Sequence, residues 1–126
     1  MSKTITIIAA FFIFISIILG AIAAHSLEKI ISQNLILTFE KGVKYLMYSG
    51  LGLLIIGLNH DKFHFKLTWI YRLIILGTVL FCGNIFIYIF HEQFNPLKNF
   101  VHLVPIGGTL MIIGWGVLLL KLFKSK

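Results

Sequence analysis

Apolar residues run almost unbroken through residues 5–24, 42–58, 67–90 and 101–120, and polar residues gather in the short joins between these stretches. Water does not reach backbone N–H and C=O groups in hydrocarbon, so a segment that crosses it must satisfy them internally as a helix. About 20 residues, rising about 1.5 Å each, cover the roughly 30 Å apolar core of a bilayer. The pattern predicts an all-α fold: a polytopic membrane four-helix bundle forming a single integral membrane domain over residues 1–126.

The first join carries a pattern of its own. Within residues 26–39, Leu27, Ile30, Ile31, Leu35 and Phe39 recur at helical spacing, with Glu28, Lys29, Ser32 and Gln33 between them. This predicts a short amphipathic helix lying in the interface after the first span. Ser26 is placed to cap its start, although Lys29 stands where a capping box has Glu or Gln.

Composition agrees with the membrane reading, since 59% of the residues are hydrophobic and only 12% charged. A soluble domain carries about 25% charged residues. The net charge of +7 invites a nucleic-acid partner, but the basic residues flank the spans and do not interleave with aromatics on a polar face. They read as membrane anchors, and nucleic acid is excluded as a partner. Lys3, Lys62, Lys66, Arg72, Lys121, Lys124 and Lys126 fall on the side shared by both termini and the middle join. Lys29, Lys41, Lys44 and Lys98 fall on the other, offset by Glu28, Glu40 and Glu92. The bias predicts a multi-pass protein of the cell (inner or plasma) membrane with both termini cytoplasmic.

The first stretch has the basic start of a signal peptide, and Ala21-Ile22-Ala23 resembles a cleavage site. Its length and the small-residue stripe Ser16, Gly20, Ala24 favour a retained helix that packs closely on a neighbour. Gly83, Gly107, Gly108 and Gly114 are expected to serve the same close packing in later spans, with Pro105 near the start of the fourth. Trp69, Tyr71, Tyr45 and Tyr48 read as interfacial anchors, and Trp115 as an internal packing residue. No convincing internal repeat is present. The lone Cys82, inside the third span, reads as a small packing residue.

Four local patterns follow one another along nearly the whole chain: Gly20-Ala21-Ile22-Ala23-Ala24-His25-Ser26-Leu27; Phe39, Gly42, Tyr45 and Tyr48 leading into Leu51-Gly52-Leu53-Leu54; Leu80-Phe81-Cys82-Gly83-Asn84; and Pro105-Ile106-Gly107-Gly108 followed by Gly114-Trp115. In order and spacing they resemble the YgdD/YwdK-like small four-helix membrane-protein family (domain of unknown function family four-two-three). The family's histidine in the second span is replaced here by Ser49, and a glycine of its first motif by Ala23. The resemblance implies a four-helix membrane fold and supplies no reaction.

Histidine is the residue type most able to carry chemistry. His25, His91 and His102 fall at the outer ends of spans one, three and four, where converging imidazoles would bind a metal, ligate haem or hydrogen-bond a quinone head-group. Ordinary interfacial hydrogen bonding is the competing reading of the three. His60 and His64, spaced i, i+4 beside Asp61, read as a solvated loop. Asn84 is the most polar residue within a span and is expected to bond across to another helix, with Ser16, Ser49, Thr78 and Thr109 as possible partners. His25, His91, His102 and Asn84 together form the candidate polar site.

The sequence carries no phosphate loop, no HExxH and no nucleophilic triad, and its few carboxylates lie in the joins. A proton-coupled transporter normally needs an ionisable group at mid-membrane, which these spans lack. The expectation is a non-enzyme without a resident cofactor or metal. Its leading role is a scaffold, assembly factor or accessory subunit of a membrane complex, with lipid and a membrane-protein partner or a second copy around it. A membrane small-molecule (haem, quinone or lipid) binding protein is the alternative, and a passive pore or transporter after oligomerisation comes third.

Overall fold

Each apolar run becomes an α-helix in the computed structural model, which describes residues 1–125; Lys126, counted above among the basic residues, lies outside them. The helices are α1 (Lys3–His25), α2 (Gln33–Leu58), α3 (Thr68–Tyr88) and α4 (Val104–Lys124). Short 3-10 segments, Leu27–Lys29, His60–Lys62 and Asn95–Leu103, join them, and no strand occurs among the described residues. Pro105 sits in the first turn of α4, where its missing N–H would have no helical acceptor.

One expected element is built differently. The amphipathic helix after the first span is not a separate interfacial piece. Leu27–Lys29 forms a 3-10 turn, and the residues from Gln33 onward are the opening turns of α2. The reason lies in the phase of the buried positions. Leu35, Phe39, Gly42, Leu46, Ser49 and Leu53 form one continuous helical stripe, and no Gly or Pro interrupts residues 33–41. The apolar side of that opening, with Ala23, Leu27 and Ile31, packs on Ile85 and Ile89 at the end of α3. The pattern thus serves a protein core rather than a lipid surface.

The helices pack in chain order. α1 lies along α2, α3 along α4, and a less extensive α2–α3 contact joins the two hairpins. The backbone N–H of Ser2 donates to Gly57 O at 2.8 Å, and Lys121 Nζ to Lys66 O at 3.0 Å. Both described ends of the chain therefore lie beside the α2–α3 join. At the opposite end Gln93 Nε2 donates to Ile30 O at 2.8 Å, and Ser32 Oγ to Glu92 at 3.3 Å. The buried stripes recur at helical spacing, for example Gly107, Met111, Gly114 and Leu118 on α4. Other faces expose large apolar side chains, Phe14 to 61% and Ile112 to 74%. Such a surface suits lipid and would aggregate in water.

By length and composition α1, α3 and α4 are apolar enough to cross a membrane. α2 falls outside that set, because Glu40, Lys41 and Lys44 lie in its first half.

The tightest contact is between α3 and α4. A Cβ added to Gly107 would lie 2.3 Å from the Phe81 backbone N and 2.7 Å from Gly77 O. One added to Gly77 would lie 2.7 Å from Gly107 O. Those neighbours are backbone and cannot turn aside. Gly114 meets Ile74 at 2.8 Å, whereas Gly108 and Gly20 have ordinary contacts at 3.5 Å and 3.7 Å. Ser16 is buried; its hydroxyl donates to Ile13 O at 2.8 Å and contacts Met47 Sδ at 3.8 Å. Two residues expected in the packing set do not take part. Ala24 is exposed, and Gly83 has open space where a side chain would go. Small size permits close approach but does not bring a neighbour to that face. Gly107→Ala is expected to destabilise the detergent-solubilised protein by about 1–3 kcal/mol. Gly83→Ala should be neutral or stabilising by up to about 1 kcal/mol. Graded unfolding in SDS compares the two.

Candidate functional site

Because α3 lies between them, α2 and α4 diverge and leave a laterally open cleft of about 650 Å³. Tyr45, Tyr48, Ser49 and Gly52 of α2 form one wall. Gly108, Met111, Ile112 and Trp115 of α4 form the other, and Phe81 of α3 also lines it. The missing side chain at Gly52 makes room for the Trp115 indole, since a Cβ there would lie 2.5 Å from the ring. Tyr45 stands edge-on to Phe81, centroids 5.1 Å apart, and edge-on to Tyr48 at 5.7 Å. These offset geometries suit the aromatic quadrupole and hold the rings in place.

Polar groups are few here, and the buried one, the Ser49 hydroxyl, is paired. The Thr78 hydroxyl donates to Ser49 Oγ at 2.8 Å and lies 2.7 Å from Ile74 O, sharing its one hydrogen. This buried pair links α2 to α3 beside the cleft, and the Tyr71 hydroxyl makes a second, longer link to Ile56 O at 3.5 Å. Asn84, expected to make such a link, does not. Its Nδ2 donates at 2.6 Å to Leu80 O of its own helix, and the residue is 7% exposed. A short amide reaching back one turn satisfies itself without a partner helix. Thr109 behaves alike, donating to Pro105 O at 2.8 Å.

The outer histidines stand on three different segments. His25 ends α1 and is exposed, and His102 is exposed in the Asn95–Leu103 segment. His91 is half-buried; its Nδ1 lies 2.9 Å from Tyr88 O and its ring stacks on Tyr88 at 4.5 Å. Among the described residues no three His, Cys, Asp or Glu side chains form a group able to hold a metal ion. At the other end His60 Nδ1 lies 2.9 Å from the Tyr71 hydroxyl, while His64 is exposed. Asp61 pairs with the N-terminal ammonium, and that hydrogen bond and charge hold its carboxyl below the usual value. The pair is intact at neutral pH and is lost as pH falls through that lowered value.

The model of a family described as "Protein of unknown function (DUF423)" matches residues 19–108. The chain belongs to the DUF423 family. It is 35% identical over 122 residues to a UPF0382 membrane protein of Staphylococcus haemolyticus, covering 97% of each chain. A UPF0382 membrane protein of Staphylococcus aureus is 37% identical over 83% of each chain. Another, of Staphylococcus saprophyticus, is 35% identical over 83% of this chain and 84% of its own. No solved structure matches. The DUF423 match begins inside α1 and ends at Gly108, so it takes in the tight Gly77–Gly107 contact. The protein is thus an integral membrane protein of a family whose activity is unassigned.

The cleft was missed by sequence reasoning. Tyr45, Tyr48 and Trp115 were visible as aromatics, but nothing in their spacing showed that two non-consecutive helices would face one another across a gap. Thr78→Val should cost about 0.5–1.5 kcal/mol in the same unfolding assay, because it strands Ser49. Asn84→Leu should stay within about 0.5 kcal/mol. Equal losses would contradict the assignment of the interhelical bond.

Proposed function

We propose that this protein works without catalysis, as a scaffold, assembly factor or accessory subunit that receives an apolar helix of a partner membrane protein in the α2–α4 cleft. One observation carries the reading: the cleft opens sideways and is walled by Tyr45, Tyr48, Phe81, Met111 and Trp115. Aromatic residues dominate the energetics of protein interfaces, and methionine adapts to irregular partners. A helix laid in a groove is a recurrent mode of recognition. The small-residue faces at Gly77, Gly107 and Gly114 are taken up inside the fold and are not open to a partner. The cleft therefore replaces them as the docking surface.

This reading includes a topology. α2 crosses the bilayer with the other three helices, and its 26 residues span about 39 Å. About 9 Å of that length exceeds a roughly 30 Å core, so Gln33 and Asn34 lie outside it. Glu40, Lys41 and Lys44 lie near its edge, within snorkelling reach of the head-groups. The Lys-rich end, which holds both described termini, faces the cytoplasm of a cell in whose inner or plasma membrane the protein sits.

A second reading, a binding protein for haem, quinone or lipid, is favoured by the hydroxyls of Tyr45, Tyr48 and Ser49 in an otherwise apolar cavity. They suit a quinone head-group or a lipid ester better than His25, His91 and His102, which form no metal-holding group, suit a shared metal.

A photo-reactive amino acid at Tyr48 or Ile112 distinguishes these readings in intact membranes. The expected product is a discrete adduct with one membrane protein, or with a second copy of this chain. Gly108→Trp, which fills the cleft, should reduce that adduct at least ten-fold. Crosslinks to lipid or quinone alone would overturn the scaffold reading in favour of the second.

A further inference from the structure

A second lateral opening, of about 690 Å³, lies between the start of α1 and the first three turns of α3. Its two ends differ in chemistry. At the end beside the α2–α3 join it is lined by Arg72, Trp69, Thr68 and His60, and further along by Ile75 and Val79. Thr68 to Val79 runs about 16 Å along the helix. The Arg72 guanidinium lies 5.1 Å above the Trp69 ring, which holds the cation at the mouth of the groove. Arg72 makes no ion pair among the described residues, and neither do Lys3, Lys62 or Lys66 at the same end of the bundle. The one acidic side chain at this end, Asp61, is occupied by the N-terminal ammonium. Positive charge at this end is therefore unbalanced by protein.

We infer that this groove is a binding site for one anionic phospholipid of the adjacent leaflet, its phosphate against Arg72 and its acyl chain along Ile75 and Val79. Trp69 is 65% exposed and Val79 52%, so the groove is open to the bilayer along its length. A basic pocket between membrane helices at the head-group level is the arrangement that recognises acidic lipids. Trp69 sits where an indole prefers the interface. A zwitterionic lipid fits the apolar part equally but adds a cation beside Arg72. The preference is thus for charge at the head, on a chain any lipid supplies.

Native mass spectrometry of the full chain in detergent, with phosphatidylglycerol and phosphatidylcholine of matched acyl chains, tests the site. The wild type should retain phosphatidylglycerol in preference to phosphatidylcholine. Arg72→Gln should lower that retention about five-fold, the worth of one basic residue near an anionic surface. Lys124→Gln, at the same end but outside the groove, should leave it unchanged. Val79→Trp fills the apolar part without altering charge and should also lower retention, so it decides the matter if Arg72→Gln fails to fold. Equal retention of both lipids overturns the proposal. So do equal losses in Arg72→Gln and Lys124→Gln, full retention in Val79→Trp, or displacement of the lipid by excess inorganic phosphate.

Discussion

The contact of α3 with α4 at Gly77 and Gly107 governs the arrangement of the second hairpin. In hydrocarbon an apolar side chain gains nothing by leaving lipid for protein, so helices associate through close van der Waals approach and hydrogen bonds. At this crossing the backbones themselves touch, with Gly107 set against Phe81 N and Gly77 O. The phase of α4 follows. With Gly107 inward, Met111, Gly114 and Leu118 also turn inward, and Ile112 turns out to 74% exposure. Trp115 then swings toward α2, where Gly52 leaves it room. The cleft wall on α4 is thus a consequence of a contact made on another face of the same helix.

Polar groups follow a complementary rule. Among the described residues, no buried side-chain nitrogen or oxygen lacks a hydrogen-bond partner. Ser16 and Asn84 are satisfied by a carbonyl one turn back, as the more exposed Thr6 and Thr109 are. Thr78 with Ser49, the Cys82 thiol toward Gly42 O at 3.2 Å, the Tyr71 hydroxyl toward Ile56 O at 3.5 Å and Ser16 Oγ toward Met47 Sδ at 3.8 Å reach between helices in the interior. The remaining ties lie at the two ends, where water and head-groups compete for the same groups. Shape therefore specifies the middle of the bundle, and polar contacts tie its rims.

This division explains what was legible in the sequence. Runs of apolar residues are dictated by the solvent, so the helices could be placed from residues 5–24, 67–90 and 101–120 with boundaries shifted by a few positions. The amphipathic spacing of Leu35 and Phe39 was equally visible, but spacing names a face and not its neighbour. Whether that face meets lipid or Ile85 and Ile89 depends on where α3 ends. The same ambiguity covers Gly83 and Ala24, small residues on faces where nothing approaches. Asn84 was expected to bond across to another helix, but a carbonyl four residues back is enough to satisfy its amide. His25, His91 and His102 share an end of the bundle, yet depth alone does not set the direction in which an imidazole points.

The two lateral openings have one cause. Helices adjacent in the chain pack together, while α1 with α3 and α2 with α4 make no extensive contact. Each of these next-but-one pairs leaves a furrow. The furrows differ in what the sequence puts at their rims. Between α2 and α4 the walls are aromatic, thioether and hydroxyl, with no charged side chain among them. Between α1 and α3 a guanidinium and an imidazole stand at one end. An uncharged aromatic wall discriminates by shape, which a folded partner helix supplies and a fluid acyl chain does not. A cation at head-group depth discriminates by charge, which lipid supplies wherever the leaflet is anionic. The same chain-order packing thus yields one surface suited to protein and another suited to lipid.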